Sequence, residues 1–308
     1  MSTQQRVQPQ FGHFEIQGRI GRGGMAEVYK AIVTEGPYKG RTVAVKRLLP
    51  EYAGNAQYVD LFVGEADLSR MLRHPNIVEV LESGAVADTY FMAMDFIDGR
   101  DLGAILARCR ERQILLPIDF ALFLVQKLLE ALDAAHKAVS PTGAPLQVVH
   151  CDVSPSNLFI SKVGEIKLGD FGIAKVRAID PTKRNGIWGK VHYASPELLR
   201  GGDVLPQADI WAAAVVLYEL LTLCRPFTGE SIEEIGKDIL KADPPQVTWL
   251  RPEIPEAVER VLGMALHPDP EQRFGDAGTF AQALQPLYNE RIGTPLAIAA
   301  VVRGLFGA

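Results

Sequence analysis

The spacing of apolar residues changes once along this chain, and that change restricts its fold more than any other feature. From Phe14 to Asp95, β-branched and aromatic runs (FEIQGRI, VYKAIV, TVAVKRL, VEVLESGAV, YFMAMDF) are separated by Gly- or Pro-containing turns. That is the pattern of half-buried strands, and five are predicted. Residues 55–73 break it, because Leu61, Glu65, Leu68 and Leu72 recur at helical spacing and predict one helix within the sheet region. After Gly99 helical periodicity dominates, at 117–138, 208–223, 231–241 and 255–266. Short strands are expected only at VVH (148–150), NLFIS (157–161) and EIKLGD (165–170). An α+β fold follows, with a small β-rich lobe, a larger mainly α-helical lobe and a boundary near 97–99. A cleft between two such lobes is a common place for a small-molecule site.

The chain is long enough for two such lobes, at 308 residues, and 47% apolar content supplies their cores. A net charge of −5 gives no global positive field, which argues against nucleic acid or anionic lipid as partner. Three cysteines, Cys109, Cys151 and Cys224, are odd in number and lack the paired spacing of a disulfide framework or zinc site. They fit a reducing, cytoplasmic setting. The start, MSTQQRVQPQFGHFEI, has no apolar core of a leader, and no uncharged apolar run reaches the ~18 residues that would span a membrane.

Several short motifs carry chemistry. Gly21–Val28 (GRGGMAEV) lies between two predicted strands, with Ala26 where a third glycine is usual in G-x-G-x-x-G. VAVK ends in Lys46 on an alternating strand. Glu65 points to the same helical face as three leucines, and a carboxylate on a buried face needs a cation; Lys46 is the candidate. His150–Asn157 (HCDVSPSN) spaces Asp152 and Asn157 five apart in a loop. Asp-Phe-Gly (170–172) follows a strand. Two carboxylates and an amide of this kind are hard oxygen donors suited to Mg²⁺ with substrate phosphates. Ser195-Pro-Glu197 comes last.

In that order the motifs resemble a eukaryotic-like serine/threonine protein kinase of the bacterial type. HPNIV (74–78), DIW (209–211) and HPDPEQRF (267–274) add to the resemblance, which covers residues 14–285. It implies a bilobal protein-kinase-like fold, with a β-rich N-lobe at about 14–97 and a helical C-lobe at about 98–285. Outside that region lie a 1–13 tail and an extension, 286–308, expected to be helical; its PLAIAAVVRGLFGA stretch, with one basic residue and little polar face, favours packing on the large lobe over a membrane-surface element or a partner-binding helix. The activity implied is transfer of the γ-phosphate of ATP, with Mg²⁺, to Ser/Thr hydroxyls of a protein substrate in bacterial-type signalling, with room for a regulatory protein partner or a homodimer.

The resemblance also assigns roles. Ile20, Gly21, Gly23, Gly24, Val28 and Ala44 would bind ATP. Lys46 would meet the α- and β-phosphates while paired with Glu65. Met94 would back the adenine pocket, with the Asp95 carbonyl and Ile97 amide bonded to adenine and Asp101 near the ribose. Asp152 would accept the proton of the substrate hydroxyl, and Asn157 and Asp170 would hold Mg²⁺. Glu197 and Arg273 would form a buried structural ion pair.

Five departures bear on mechanism. Ala26 should stiffen the glycine hairpin. Cys151 replaces the arginine beside the catalytic aspartate, which removes the cation that receives a phosphorylated activation segment, so activity should not depend strongly on phosphorylation of Thr182. As a thiol, Cys151 reads as a small packed residue. Ser154 replaces the lysine expected two residues after Asp152. Lys190 replaces the threonine expected before SPE, and is a catalytic candidate because it stands opposite the missing lysine. Lastly, the link KAVSPTGAPLQV is long and predicts a solvent-exposed loop. These departures keep two alternatives open: a pseudokinase that binds ATP as a scaffold, and a kinase for tyrosine or a small molecule.

Overall fold

The computed structural model describes residues 10–171 and 190–307. The chain divides into two compact units, one running to Arg73 and again from Val78 to Phe96, the other made of His74–Ile77 and everything from Ile97.

In the first unit, six antiparallel strands form one sheet: β1 (Gln10–Phe11), β2 (Phe14–Arg22), β3 (Ala26–Val33), β4 (Thr42–Leu48), β5 (Val80–Val86) and β6 (Thr89–Asp95), in the order β1-β2-β3-β4-β6-β5. The five predicted strands are all present. The sixth, β1, was not expected. It is two residues long, too short to show a period, yet Phe11 is buried edge-on to Phe91 at 5.7 Å. The sheet thus begins before the expected start at Phe14.

Because strand side chains alternate, the sheet has two apolar faces. Phe14, Ile16, Ala31, Val33, Val43, Val45, Phe91 and Ala93 pack on one. Ala26, Leu48, Val80 and Met92 cover the other, against Phe62 and Ala66 of helix α2 (Ala56–Met71), which follows a single turn, α1 (Pro50–Ala53). Each such large side chain contributes about 1.5–3 kcal/mol by leaving water. The Asn55 side chain accepts the Gln57 N–H and caps α2. Its buried face is Phe62, Glu65, Ala66 and Ser69, with Leu61 and Leu68 only half-buried. Of the predicted stripe Glu65 and Leu72 are buried, and Phe62, Ala66 and Ser69 join them in place of Leu61 and Leu68. Turning Phe62 inward buries the larger ring and still keeps Glu65 inside.

The second unit is mainly helical. After β7 (Gly99–Asp101) come α3 (Leu102–Arg112) and α4 (Ile118–His136), then β8 (Leu158–Ser161) and β9 (Ile166–Leu168), which join β7 in a small sheet of order β7-β8-β9. Then follow α5 (Pro196–Leu199), α6 (Pro206–Thr222), α7 (Ile232–Lys241), α8 (Val247–Leu250), α9 (Glu256–Ala265), α10 (Ala277–Leu284) and α11 (Pro295–Phe306). All residues of α6 from Ala208 to Thr222 are buried, as expected for a helix apolar on every side. The four predicted helices appear as α4, α6, α7 and α9. The strand expected at 148–150 does not form, because the amides of His150 and Cys151 are taken by the Asp209 side chain, at 2.7 and 2.9 Å, instead of by a neighbouring strand. The 137–148 link is an exposed turn closed by a bridge between Val139 and Pro145. Among the described residues no helix is long and apolar enough to cross a membrane.

Candidate active site

In the first unit, β2 and β3 form a hairpin in which Gly21 pairs with Val28 and the Gly23 N–H donates to Ala26 O at 2.8 Å. None of Gly21, Gly23 and Gly24 has a positive φ. A Cβ would come no closer than 3.8 Å to another atom at Gly21 and 3.6 Å at Gly23, and would meet nothing within 4 Å at Gly24. Neither backbone nor packing requires glycine here, so the hairpin leaves a bare backbone edge that a phosphate group can approach. Ala26 is the exception in the motif: its methyl is buried in the cluster under α2, which ties the hairpin down.

Register puts the next group together. Val28 and Met92 flank Lys46, and Ala44 lies beside Met94, so Val28, Ala44, Lys46 and Met94 share the α2 face of the sheet, while Ile20 is 52% exposed. From that face the Lys46 ammonium reaches Glu65 Oε1 at 2.5 Å, with both side chains largely buried. Removing one member of such a pair costs roughly 3–5 kcal/mol because the other charge stays buried. At the end of β6 the Asp95 N–H donates to Glu79 O at 2.9 Å and its carboxylate pairs with Arg41 at 2.5 Å.

In the second unit Ile97 is half-buried, and Asp101 caps α3 by accepting the Ala104 N–H at 2.9 Å. Residues 150–157 form a loop anchored from below by Asp209, which is 1% exposed in the first turn of α6. Its carboxylate accepts the His150 and Cys151 amides and meets His136 Nε2 at 2.8 Å. This grip holds Cys151 at φ 61, a left-handed conformation that costs a non-glycine residue about 1–2 kcal/mol. Sequence reading quoted DIW only as a supporting match. A carboxylate in the first turn of a helix that is otherwise mostly apolar was the available signal for an anchor.

His150 is fully buried, and burial lowers its pKa. Its Nδ1 accepts the Asp152 N–H at 3.2 Å, so the neutral ring carries its proton on Nε2 and donates to Gly169 O at 3.1 Å. The ring rests on Phe171 with centroids 4.5 Å apart. Gly169 in turn donates its N–H to Asn157 O at 2.9 Å, which joins the segment leading to Asp170 to the 150–157 loop. Asp170 itself is exposed, with φ 53.

The Asp152 side chain is 7% exposed, and its Oδ2 accepts from Asn157 Nδ2 at 3.0 Å and from Lys190 Nζ at 2.8 Å. Asn157 Nδ2 also donates to Asp152 O at 2.9 Å, so the amide directs its NH₂ at Asp152 and keeps Oδ1 as its acceptor. Ser154 is 3% exposed, its hydroxyl within 3.4 Å of Asp152 O and 3.2 Å of Ser156 Oγ. The Cys151 thiol donates to Val149 O at 3.4 Å, and burial, followed by the charges of Asp209 and Asp152, pushes its pKa far up. It stays protonated at neutral pH, in keeping with a packed residue.

Asn157 and Asp170 are hard oxygen donors. Among the described residues no three His, Cys, Asp or Glu side chains form a metal cluster. A magnesium ion fits such a pair, because it takes one or two protein oxygens and fills its shell with phosphate and water.

Further along, Arg273 grips Glu197 with two bonds of 2.8 Å and lies over Trp211. Burial alone would raise the Glu197 carboxyl, but Arg273 holds it below the usual carboxylate value. The ion pair expected from the resemblance is therefore present. Thr182, Gly172 and Gly189 lie outside the described residues.

A sheet carrying one helix with an internal Lys–Glu pair, followed by a helical unit with an Asp–Asn loop, is the architecture of a protein kinase. Residues 14–288 match the protein kinase domain family, and the chain belongs to it. It is 34% identical over 304 residues to the tyrosine-protein kinase MasK of Myxococcus xanthus (strain DK1622), covering 98% of this chain and 47% of that protein. It is 36% identical over 267 residues to the serine/threonine-protein kinase PrkC of Bacillus subtilis (strain 168), covering 86% and 39%. Among solved structures, the PknI kinase domain of Mycobacterium tuberculosis superposes with a TM-score of 0.67 at 28% identity, covering 91% of this chain and 98% of that one. The chain thus spans less than half the length of these curated relatives.

Proposed function

We propose that this chain is an active serine/threonine protein kinase, which transfers the γ-phosphoryl group of ATP to side-chain hydroxyls of a protein. The observation that carries the reading is the Asp152 carboxylate, held at 7% exposure by Asn157 and Lys190 in a loop clamped on Asp209. A carboxylate so oriented can take the acceptor's proton as its oxygen attacks phosphorus. Each unit supplies part of the remaining machinery. The first offers the bare hairpin edge for phosphates and an ammonium fixed by Glu65, with Ile20, Val28, Ala44 and Met94 as apolar surface and the Asp95 carbonyl as a polar contact for adenine; the Ile97 amide, a further adenine contact, belongs to the second. The second offers Asn157 and Asp170 to magnesium, and Asp101 to the ribose. Bound there, magnesium would neutralise charge on the phosphates. A need for ATP and three free cysteines support a cytoplasmic setting for the domain.

All the groups that transfer needs are present, which leaves the pseudokinase alternative without a structural motive. Tyrosine as acceptor keeps two supports: Ser154 leaves the 150–157 loop without a cation of its own, and the relative MasK is named a tyrosine kinase. Incubation with labelled ATP, Mg²⁺ and a generic protein, followed by phosphoamino-acid analysis, separates the readings. Phosphoserine and phosphothreonine are expected. Phosphotyrosine alone would move the assignment to tyrosine, and no label above an Asp152→Asn control would end it.

A further inference from the structure

We propose that Lys190 is a catalytic residue of this kinase, supplying from the segment before Ser195 the positive charge that the 150–157 loop lacks. The inference rests on the kinase reading above and deepens it. HCDVSPSN contains no lysine or arginine, and the position two residues after Asp152 is a buried serine whose hydroxyl is turned to Asp152 O and Ser156. Phosphoryl transfer nevertheless spreads negative charge over the equatorial oxygens of the moving group and onto the leaving oxygen, and needs preorganised cations around them. Lys190 Nζ lies 2.8 Å from Asp152 Oδ2, the oxygen that also receives Asn157.

Two observations separate this contact from an ordinary surface ion pair. First, the carboxylate is only 7% exposed while the lysine is 31% exposed, so the ammonium enters the site from the solvent side, where an acceptor must also arrive. Second, the backbone that carries Lys190 is fixed. Its carbonyl accepts the Tyr193 N–H at 3.0 Å; Val191 and Tyr193 are buried; the Tyr193 hydroxyl donates to Glu219 at 2.6 Å; and His192 Nδ1 lies 3.1 Å from Phe227 O. The ammonium therefore comes from an anchored turn and needs little rearrangement to act.

In the transfer step the acceptor hydroxyl gives its proton to Asp152. Its oxygen forms a bond to the γ-phosphorus while the bond from that phosphorus to the β,γ-bridging oxygen breaks, and ADP leaves with the electron pair. As Asp152 gains the proton its charge is cancelled, and Lys190 loses its resting partner while the negative charge of the moving group is spread over its equatorial oxygens. An ammonium has three donors on a flexible stem and can pass from one to the other. The contact is then stronger in the transition state than in the ground state, so its loss should appear in kcat and not in ATP binding.

The test compares wild type, Lys190→Met, Lys190→Arg and the double variant Ser154→Lys/Lys190→Thr, with a Ser/Thr peptide and Mg²⁺-ATP. Lys190→Met should lower kcat by roughly 10²-fold with KM for ATP changed less than about threefold. Lys190→Arg should keep clearly more activity than Lys190→Met, and the double variant should recover at least about tenfold over it, since the charge returns from the opposite side. If wild type transfers phosphate but Lys190→Met stays within about threefold in kcat, the inference is overturned while the kinase reading stands. Equal losses in Lys190→Met and Lys190→Arg, with no recovery in the double variant, would also overturn it. A wild type that transfers nothing would instead remove the kinase reading.

Discussion

Asp209 does more for the candidate site than any residue in it that would touch substrate. One buried carboxylate takes two backbone amides and a histidine, and the left-handed turn at Cys151 depends on it. In Asp209→Ala each abandoned amide costs about 1–3 kcal/mol. Chemical denaturation should show a loss of about 3 kcal/mol or more, with a fall in kcat in the fraction that folds. A loss below about 1 kcal/mol would mean the loop holds itself.

His150 makes a second prediction at the same scale. Its folded pKa lies below the ordinary value of 6.5 because of burial, so below that pH the unfolded chain binds a proton that the native one refuses. His74 and His192 are shifted the same way by the same cause. Stability should thus be complete above pH 6.5 and decline as pH falls beneath it. Melting temperature followed from pH 7.5 to about 5 should fall less steeply in His150→Gln than in wild type. Parallel curves would show that His150 contributes nothing to the decline.

At the scale of elements, α11 shows how the end of the chain is secured. Its Ile298, Ala299, Val302 and Leu305 are buried, and it packs on α3 and β8. Arg108 and Arg112 of α3 donate to the carbonyls of Leu305 and Gly304, where the last turn of a helix lacks partners. At its other end Gly164 sits beneath Pro295 with φ 89, and a Cβ there would lie 2.0 Å from Pro295 O. Gly164→Ala should therefore unseat the start of α11, with a lowered melting temperature and faster proteolysis after residue 290. An alanine variant as stable and as resistant as wild type would contradict that packing.

The same scale shows what the sequence discloses. Strands β2 to β6 were readable because their alternation repeats over seven or more residues. Helix α3 was missed although Leu102, Ile105, Leu106 and Cys109 fall at helical spacing, its short stripe running into the charged ARCRER. The 148–150 run looked like a strand, since sequence says nothing of a side chain 59 residues away taking its amides. The roles of Lys46, Glu65, Asp152, Asn157 and Asp170 came from motif order. The contact of Lys190 with Asp152 came from asking what replaced a missing charge.

At the scale of the whole molecule, the proposed chemistry draws a lysine from the sheet unit and a base with two oxygen donors from the helical unit. On that proposal loss of a group from either unit should stop the reaction, and Lys46→Met should in addition cost roughly 3–5 kcal/mol of stability because Glu65 stays buried. The most direct measurement is phosphate transfer by purified Lys46→Met and Asp170→Asn proteins, one substitution in each unit, with folding checked by circular dichroism. Both should lose nearly all transfer, on the order of 10²-fold or more, while keeping a native spectrum. Full activity in either folded variant would contradict phosphoryl transfer by these groups.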